Sequence, residues 1–473
     1  MNYKSILYFL GIYSLFISFF SILNIFYSIY FDHTLDLYSY FITFIISLLV
    51  GTFFCYLGYK HIQNITLSDQ IMFIVISFVY VPLLISIPYF LSSYNINFLD
   101  SYFESVSGIT STGFSIIEDI SYIDEPLLLW RSSSQWLGGL LLLIAIVGTI
   151  GSRQSKIRPV FLVSSEASGK NFYNNFNIYF IKILLIYFLS TLAIIVLFKI
   201  SNIRFFDSVN LAFTAISSGG FISTENLSDI LTNNFKIFIF SISLLFPIFN
   251  FYLFFNIFTR KFKFQNHHED LHLALIIIIT TLIFYFIIIP NRDFVNILLS
   301  IVTSISTSGL VVNNLNIDST LFFILLTIMG GSLIATSSGI KYTRFYILLK
   351  ISYQEIYRLV KPINIFNKNL YNVESKIDDD DSKIAFMVFI SFIILVFILT
   401  SFLTLDNLSF EDSFKLSILT LTNTVTSSLY GLESLNFFDL NNFTKIFLIV
   451  FMILGKIEII AILFLIKKFI FKE

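Results

Sequence analysis

Cysteine, charge and catalytic signatures are what this sequence has least of. A single cysteine, Cys55, allows no internal disulfide and says nothing about redox compartment. Only 12% of the 473 residues are charged, against 56% hydrophobic, which no soluble globular domain requires. A net charge of −1 argues against nucleic acid as a partner. There is no GxSxG, no nucleotide loop and no pair of catalytic residues on an apolar segment, so an enzyme is not expected. With no ATP-binding domain in the chain, any nucleotide control would come from a partner.

Apolar length is what the chain has in excess. Phe occurs 59 times and Tyr 25 times, and mean hydropathy is +0.85. The class is a polytopic membrane protein, with the lipid bilayer as its surroundings. The richness in Phe, Ile, Asn, Lys and Tyr also fits the bias of an AT-rich genome, so single aromatics carry little weight. Ser5–Ile29 is long enough to span, and no small-residue cleavage site follows, so a cleaved leader is not expected.

One small, hydroxyl-rich motif recurs between apolar segments. Ile109–Ser115 reads Ile-Thr-Ser-Thr-Gly-Phe-Ser. Ile216–Ile222 reads Ile-Ser-Ser-Gly-Gly-Phe-Ile, and Ile305–Val311 reads Ile-Ser-Thr-Ser-Gly-Leu-Val. Thr424–Tyr430, Thr-Val-Thr-Ser-Ser-Leu-Tyr, is a degraded fourth copy. A spacing of roughly 90–120 residues marks internal repetition.

The expected fold is all-α and polytopic: four pseudo-symmetric helix–pore loop–helix repeats around one central pore, plus two N-terminal transmembrane helices. Residues 1–66 hold that pair, Ser5–Ile29 and Leu37–Tyr59. Repeat 1 is 67–165, with Ile71–Leu91, hairpin Phe98–Gly113 and a helix from about Pro126 to Ile150, where proline suits a helix start. Repeat 2 is 166–265, with Ile178–Ile200, hairpin Phe206–Gly220 and Phe235–Phe258. Repeat 3 is 266–370, with Leu273–Ile289, hairpin Phe294–Gly309 and a long segment from Leu321 to Leu349 interrupted by glycines. A polar loop, Tyr353–Lys383, leads to repeat 4, 371–473, with Ile384–Leu405, hairpin Phe410–Ser428 and Phe443–Ile466.

Lys and Arg gather after the second helix of each repeat, at Arg153–Lys170, Arg260–Lys263, Arg344–Lys376 and Lys467–Lys472. The hairpin sides carry acids, among them Asp100, Glu104, Glu118, Asp119, Asp124, Glu411, Asp412 and Glu433. The positive-inside rule then sets the hairpins entering from outside and both termini in the cytoplasm. The acids either concentrate cations at a pore mouth or simply mark translocated loops; the sequence leaves both open.

In each hairpin a helix-compatible run precedes the small residues: Phe103–Ile109, Val209–Ile216, Ile297–Ile305 and Phe414–Leu421. Such a helix aims its partially negative C-terminal end at the pore, which favours a cation. The turn that follows can offer backbone carbonyls in place of an ion's water shell. Irregular backbone at membrane depth is tolerated only where it is buried in protein or lines water.

These residues resemble the Trk/Ktr/HKT superfamily of potassium transporters. Phe103-Glu104-Ser105-Val106-Ser107-Gly108-Ile109-Thr110-Ser111-Thr112-Gly113 is similar to the family's first pore loop. Arg131 with Gln135-Trp136-Leu137-Gly138-Gly139, Asn250-Phe251, Ser338-Gly339-Ile340-Lys341 with Arg344, and Leu454-Gly455-Lys456-Ile457-Glu458 resemble its helices. Gln354-Glu355 with Arg358-Leu359-Val360-Lys361-Pro362, and the leading helix pair, resemble the TrkH branch. The resemblance implies potassium uptake across the cytoplasmic (inner) membrane, with potassium as substrate and no cofactor in this chain. It also implies a homodimer on a cytosolic nucleotide-binding regulatory subunit of TrkA type.

By that resemblance the filter is Thr110, Ser111, Thr112 and Gly113; Ser217, Ser218, Gly219 and Gly220; Ser306, Thr307, Ser308 and Gly309; and Thr426, Ser427 and Ser428. Ser428 is the best match to the fourth filter glycine, with Gly431 available if the alignment slides by three. A serine there leaves open a sodium-permeable or poorly selective monovalent cation transporter. The gate is expected at Gly330, Gly331, Ser337, Ser338, Gly339 and Lys456, with lysine where the family usually has arginine. A charge near mid-helix is functional by default, although snorkelling to the interface would also place Lys456. The small residues of the gate could instead be a helix-packing patch. An intramembrane enzyme or scaffold would need more clustered ionisable residues than Lys456 and Glu458.

Two features are expected to be solvated. His267, His268 and His272 fall with Glu269 and Asp270 in what reads as a short cytoplasmic loop. Asp378–Asp381 lacks the alternating ligands and turn glycine of a calcium site.

Overall fold

Within the described residues, the long apolar runs are helical. The computed structural model describes residues 3–60, 67–117, 119–150, 172–258, 267–288, 293–312, 319–360, 379–406, 408–432 and 435–457. Among the described residues there is no strand. Among those same residues, seven helices are long and apolar enough to cross a membrane, or eight if one bent pair counts as a span. Their outward side chains, such as Phe26, Leu49, Ile181, Val196, Ile278, Ile394 and Phe397, are large, apolar and exposed, as lipid contact requires. The protein is a multi-pass membrane protein.

The N-terminal pair is α1 (Tyr3–Tyr30) and α2 (Leu37–Gly58). Small residues let them close on each other: a Cβ added at Gly11 would lie 2.8 Å from the Gly51 carbonyl oxygen. The next group is α3 (Leu67–Leu91), the short α4 (Phe98–Ile109) and α5 (Glu125–Ile150). It is followed by α6 (Phe172–Ile200), the short α7 (Phe205–Ile216), a single turn α8 (Leu227–Ile230), and α9 (Asn234–Ser243), α10 (Leu245–Ile248) and α11 (Phe251–Phe258). Then come α12 (His268–Ile283) with a π-helical end Phe284–Ile288, the short α13 (Phe294–Ser306), α14 (Thr320–Met329) and α15 (Tyr342–Val360). The last group is α16 (Asp379–Leu403), the short α17 (Phe410–Leu421) and α18 (Asn442–Ile457).

Three expectations need correction. The expected helix Phe235–Phe258 is broken, with α9–α10 and α11 meeting at 103°. Pro247 has no N–H to continue the ladder, and the carbonyls freed around it find partners outside the helix, as described below. The long segment Leu321–Leu349 is interrupted where its glycines fall, as expected, with an irregular stretch at residues 330–341 between α14 and α15. The expected loop Tyr353–Lys383 is helical at both ends: α15 runs to Val360 and α16 starts at Asp379. Asp381 is buried rather than solvated.

The cation clusters Arg153–Lys170, Arg260–Lys263 and Lys467–Lys472, the part of Arg344–Lys376 beyond Val360, and Glu118, Asp378, Glu433 and Glu458 lie outside the described residues. So do the repeat boundaries at 165, 265 and 370.

The groups interlock in order. The second helix of each packs against the short helix of the next: α5 on α7, α9 on α13, α14 on α17, and α18 back onto α4. That last contact closes a ring and puts the ends of all four short helices in its middle.

Candidate functional site

Each short helix stops in the same way. One residue past the helical turn adopts a left-handed conformation: Ser111 (φ 57°), Ser218 (φ 56°), Thr307 (φ 62°) and Asn423 (φ 49°). The N–H of the next residue reaches back five positions, as at a Schellman C-cap. These bonds run from Thr112 to Ser107, Gly219 to Thr214, Ser308 to Thr303 and Thr424 to Leu419, at 2.8–3.1 Å. The equivalent turns are therefore Thr110–Gly113, Ser217–Gly220, Ser306–Gly309 and Thr422–Val425.

This corrects the fourth turn. Thr426, Ser427 and Ser428 lie beyond it, and Ser428 opens a 3-10 turn, Ser428–Tyr430. Gly431 closes that turn at φ +68° and is not in the ring either. Val425 stands where the other turns have Gly113, Gly220 and Gly309. Asn423, Thr424 and Val425 occupy the turn positions that match the other three, which the glycine pattern concealed.

The turns meet one another. A Cβ added at Gly113 would lie 2.6 Å from the Gly220 Cα. One at Gly309 would lie 2.7 Å from the Val425 carbonyl oxygen. The Asn423 amide donates to Thr112 Oγ1 at 3.0 Å and to the Met452 carbonyl at 2.9 Å, joining the fourth turn to the first and to α18. Hydroxyls pair within turns, Thr110 with Thr112 at 2.7 Å and Thr422 with Thr424 at 3.0 Å.

The surrounding helices hold the turns rigidly. A Cβ at Gly138 on α5 would sit 1.9 Å from the Ile109 carbonyl oxygen, and one at Gly455 on α18 would sit 2.3 Å from that of Leu421. Both glycines admit the C-terminal end of a short helix. Gln135 accepts from the Phe221 N–H at 3.3 Å, behind the second turn. Behind the first, Glu104 and Arg131 form a buried ion pair at 3.0 Å, and Glu104 also accepts from the Ile116 N–H at 3.0 Å. A second buried pair, Lys445 with Asp100 at 2.7 Å, ties α18 to α4. On the hairpin side, hydrogen bonds from Ser121 hold the exposed Asp119 carboxyl below its ordinary value. Burial raises that of Asp124.

The stretch 330–341 lies directly beside the turns. It pinches off at Gly330 (φ +64°) and Gly339 (φ +83°), where a Cβ would strike the Ser338 and Thr327 carbonyl oxygens respectively. Thr336 Oγ1 donates to the Ile216 carbonyl at 2.7 Å, and Ser218 Oγ donates to the Thr336 carbonyl at 3.1 Å. The Ser338 N–H donates to Thr307 Oγ1 at 3.0 Å. Two buried lysines grip the same stretch. Lys456 Nζ reaches the Thr336 carbonyl (3.4 Å) and Ser338 Oγ (3.2 Å). Lys341 Nζ donates to the Ala335 carbonyl at 3.0 Å and to that of Ser337. The gate candidates Gly330, Gly331, Ser337, Ser338, Gly339 and Lys456 are thus brought together. Lys341 is brought to the same stretch and becomes a further candidate that the sequence pattern did not single out.

The other side of this stretch is bonded to the break between α10 and α11. Ser332 N–H donates to the Ile248 carbonyl (2.8 Å), Ser337 N–H to that of Pro247 (3.1 Å), and Phe251 N–H to that of Ile334 (2.9 Å). The start of α12 clamps both partners: Asp270 accepts from the Asn250 N–H and Glu269 from the Leu333 N–H. His267 is buried between Asn256 (3.1 Å) and Asp270 (3.3 Å). The histidine–acid cluster is therefore no solvated loop, because two interrupted backbones need its polar groups as partners.

No protein-family model matches the chain. It is 25% identical over 267 residues to an uncharacterized cation transporter of Methanocaldococcus jannaschii, a stretch covering 54% of this chain and 53% of that one. It spans 26% of the Trk system potassium uptake protein TrkG of Escherichia coli at 31% identity, covering 26% of this chain. It also matches 11% of TrkH of Halomonas elongata at 44% identity over 11% of this chain. The chain thus spans about half the length, or less, of the curated relatives it matches. Its fold is that of the potassium transporter TrkH from Vibrio parahaemolyticus: TM-score 0.84, 98% of each chain covered, 21% identity.

Proposed function

We propose that this chain is a cation-conducting member of the TrkH/KtrB superfamily, taking up potassium through the ring of four turns. The observation that carries the reading is the shared cap: four short helices, one bond pattern, one meeting point. Their C-terminal ends give the centre a negative partial potential without an ionised acid, and the turns supply carbonyls and hydroxyls at hydrogen-bond spacing. An inward membrane potential would supply ~2.3 kcal/mol per charge per 100 mV. The site is composed of Thr110–Gly113, Ser217–Gly220, Ser306–Gly309 and Thr422–Val425. The gate is residues 330–341 with Lys341 and Lys456, whose charges oppose a cation beneath the turns.

The wider assignments follow the same reading. Termini are cytoplasmic, the membrane is the cytoplasmic one, and a homodimer docks a cytosolic nucleotide-binding subunit of TrkA type on its basic loops. The division into 1–66, 67–165, 166–265, 266–370 and 371–473 fits the order in which the helix groups interlock. A second reading, a monovalent cation transporter of low selectivity, is favoured by Val425, since one wall of the ring lacks the glycine of the other three.

The test is rubidium uptake by potassium-starved cells that lack their own uptake systems and express this chain. Uptake that potassium competes for and sodium does not supports the reading. Equal competition by sodium supports the second, and no uptake above empty cells, with a regulatory subunit co-expressed, overturns both.

A further inference from the structure

Resting on that reading, we infer that Val425 is an apolar constriction across the ion path that limits how fast ions pass. The fourth turn faces the second across the ring, because α5 packs on α7, α9 on α13, α14 on α17 and α18 on α4, making first–third and second–fourth the opposite pairs. Yet Val425 reaches Gly220. A Cβ added at Gly220 would lie 2.6 Å from Val425 Cβ, 3.1 Å from Cγ2 and 3.2 Å from Cγ1. The isopropyl group also touches the third wall, with Cγ1 2.9 Å from a Cβ at Gly309. The valine thus bridges opposite walls and fills the space among three of them.

A cation held by carbonyls on opposite walls needs two metal–oxygen bonds across the path, about 5 Å even for calcium. No such span exists where an added methyl would already collide. The blocking atoms are hydrocarbon, so they can neither coordinate the ion nor keep water beside it. Valine is also stiff at χ1 and cannot swing aside as a longer side chain would. Backbone geometry adds to this. Gly113 and Gly309 sit at φ +84° and +70°, a conformation a β-branched residue rarely adopts. Gly220 and Val425 do not take it, so the ring has two unlike pairs of walls.

The purified chain, with its regulatory partner, is reconstituted in liposomes, and potassium, rubidium and sodium fluxes are measured for wild type, Val425→Gly, Val425→Ala and Val425→Leu. The constriction predicts flux rising about ten-fold in the glycine and alanine variants and falling in the leucine variant. Alanine keeps the backbone restriction but removes the bulk, so its rise assigns the effect to the side chain. Alanine also decides the case if the glycine variant fails to assemble, as judged by a monodisperse elution profile. Wild-type flux that neither variant changes overturns the constriction and leaves the conduction reading standing. Absence of flux in wild type and in every variant overturns the conduction reading itself.

Discussion

Lys456 is the residue on which the gating account is most exposed. It lies buried on α18 and, among the described residues, its amine is matched by dipoles, the Thr336 carbonyl and the Ser338 hydroxyl. Burying such a charge costs several kcal/mol, so it is retained for what it does to the stretch it holds. Lys456→Met keeps the volume, frees the stretch and removes the repulsion; cation flux should rise by on the order of ten-fold in liposome assays. A fall in flux with intact folding would mean the lysine serves conduction instead. Glu104 and Arg131 have a different task, because their pair faces the back of the first turn and α5. Glu104→Ala strands the guanidinium and should cost about 3–5 kcal/mol, seen as a lower unfolding temperature in detergent. Unchanged unfolding would show the pair to be dispensable. The fourth turn shows where the sequence misleads. Serines at 427 and 428 imitate the hydroxyl pattern of the other copies, while Val425 stands at the turn position that matches their glycines. Spacing carried the correct register: Gly113, Gly220, Gly309 and Val425 each lie fifteen residues after the phenylalanine that opens a short helix, Phe98, Phe205, Phe294 and Phe410. Glycine at Val425 should alter the potassium-to-sodium flux ratio more than glycine at Ser428, and the reverse order would restore the serine register.

At the scale of elements, the short helices were legible and the interrupted ones were not. Four runs ending in small residues announce capped helices, since glycine and hydroxyl residues tolerate the turn that ends them. The break at Pro247 and the burial of His267 and Asp270 arise from partners far away in sequence: α10–α11 and residues 330–341 satisfy each other's backbone, and α12 clamps both. Nothing in a local window encodes that pairing. Close helix approach is a sharper demand. Gly138 and Gly455 each leave room for a carbonyl and no room for a methyl. Gly138→Ala and Gly455→Ala should each cost at least about 1–3 kcal/mol through overpacking, reducing the yield of folded protein from membranes. Normal yield and unfolding temperature in both would mean the short helices sit less tightly than described.

For the whole molecule, the closing contact of α18 on α4 matters most. It turns four separate helix groups into one ring, and the Lys445–Asp100 pair and the Asn423–Thr112 bond fasten the seam. Multi-pass character was plain from composition, because lipid-facing helices need exposed apolar side chains that no soluble chain keeps. The ring was expected from recurrence alone, and its order rests on packing that recurrence cannot specify. The most direct test of the account locates the ion. The protein is crystallised in rubidium, and the anomalous signal of the ion is mapped. The account predicts rubidium on the ring axis, coordinated by carbonyls of Thr110–Thr112, Ser217–Gly219, Ser306–Ser308 and Thr422–Thr424, and not at the layer that Val425 fills. Rubidium bound reproducibly elsewhere in the membrane region, with the axis between the turns empty while the same preparation conducts, would contradict it.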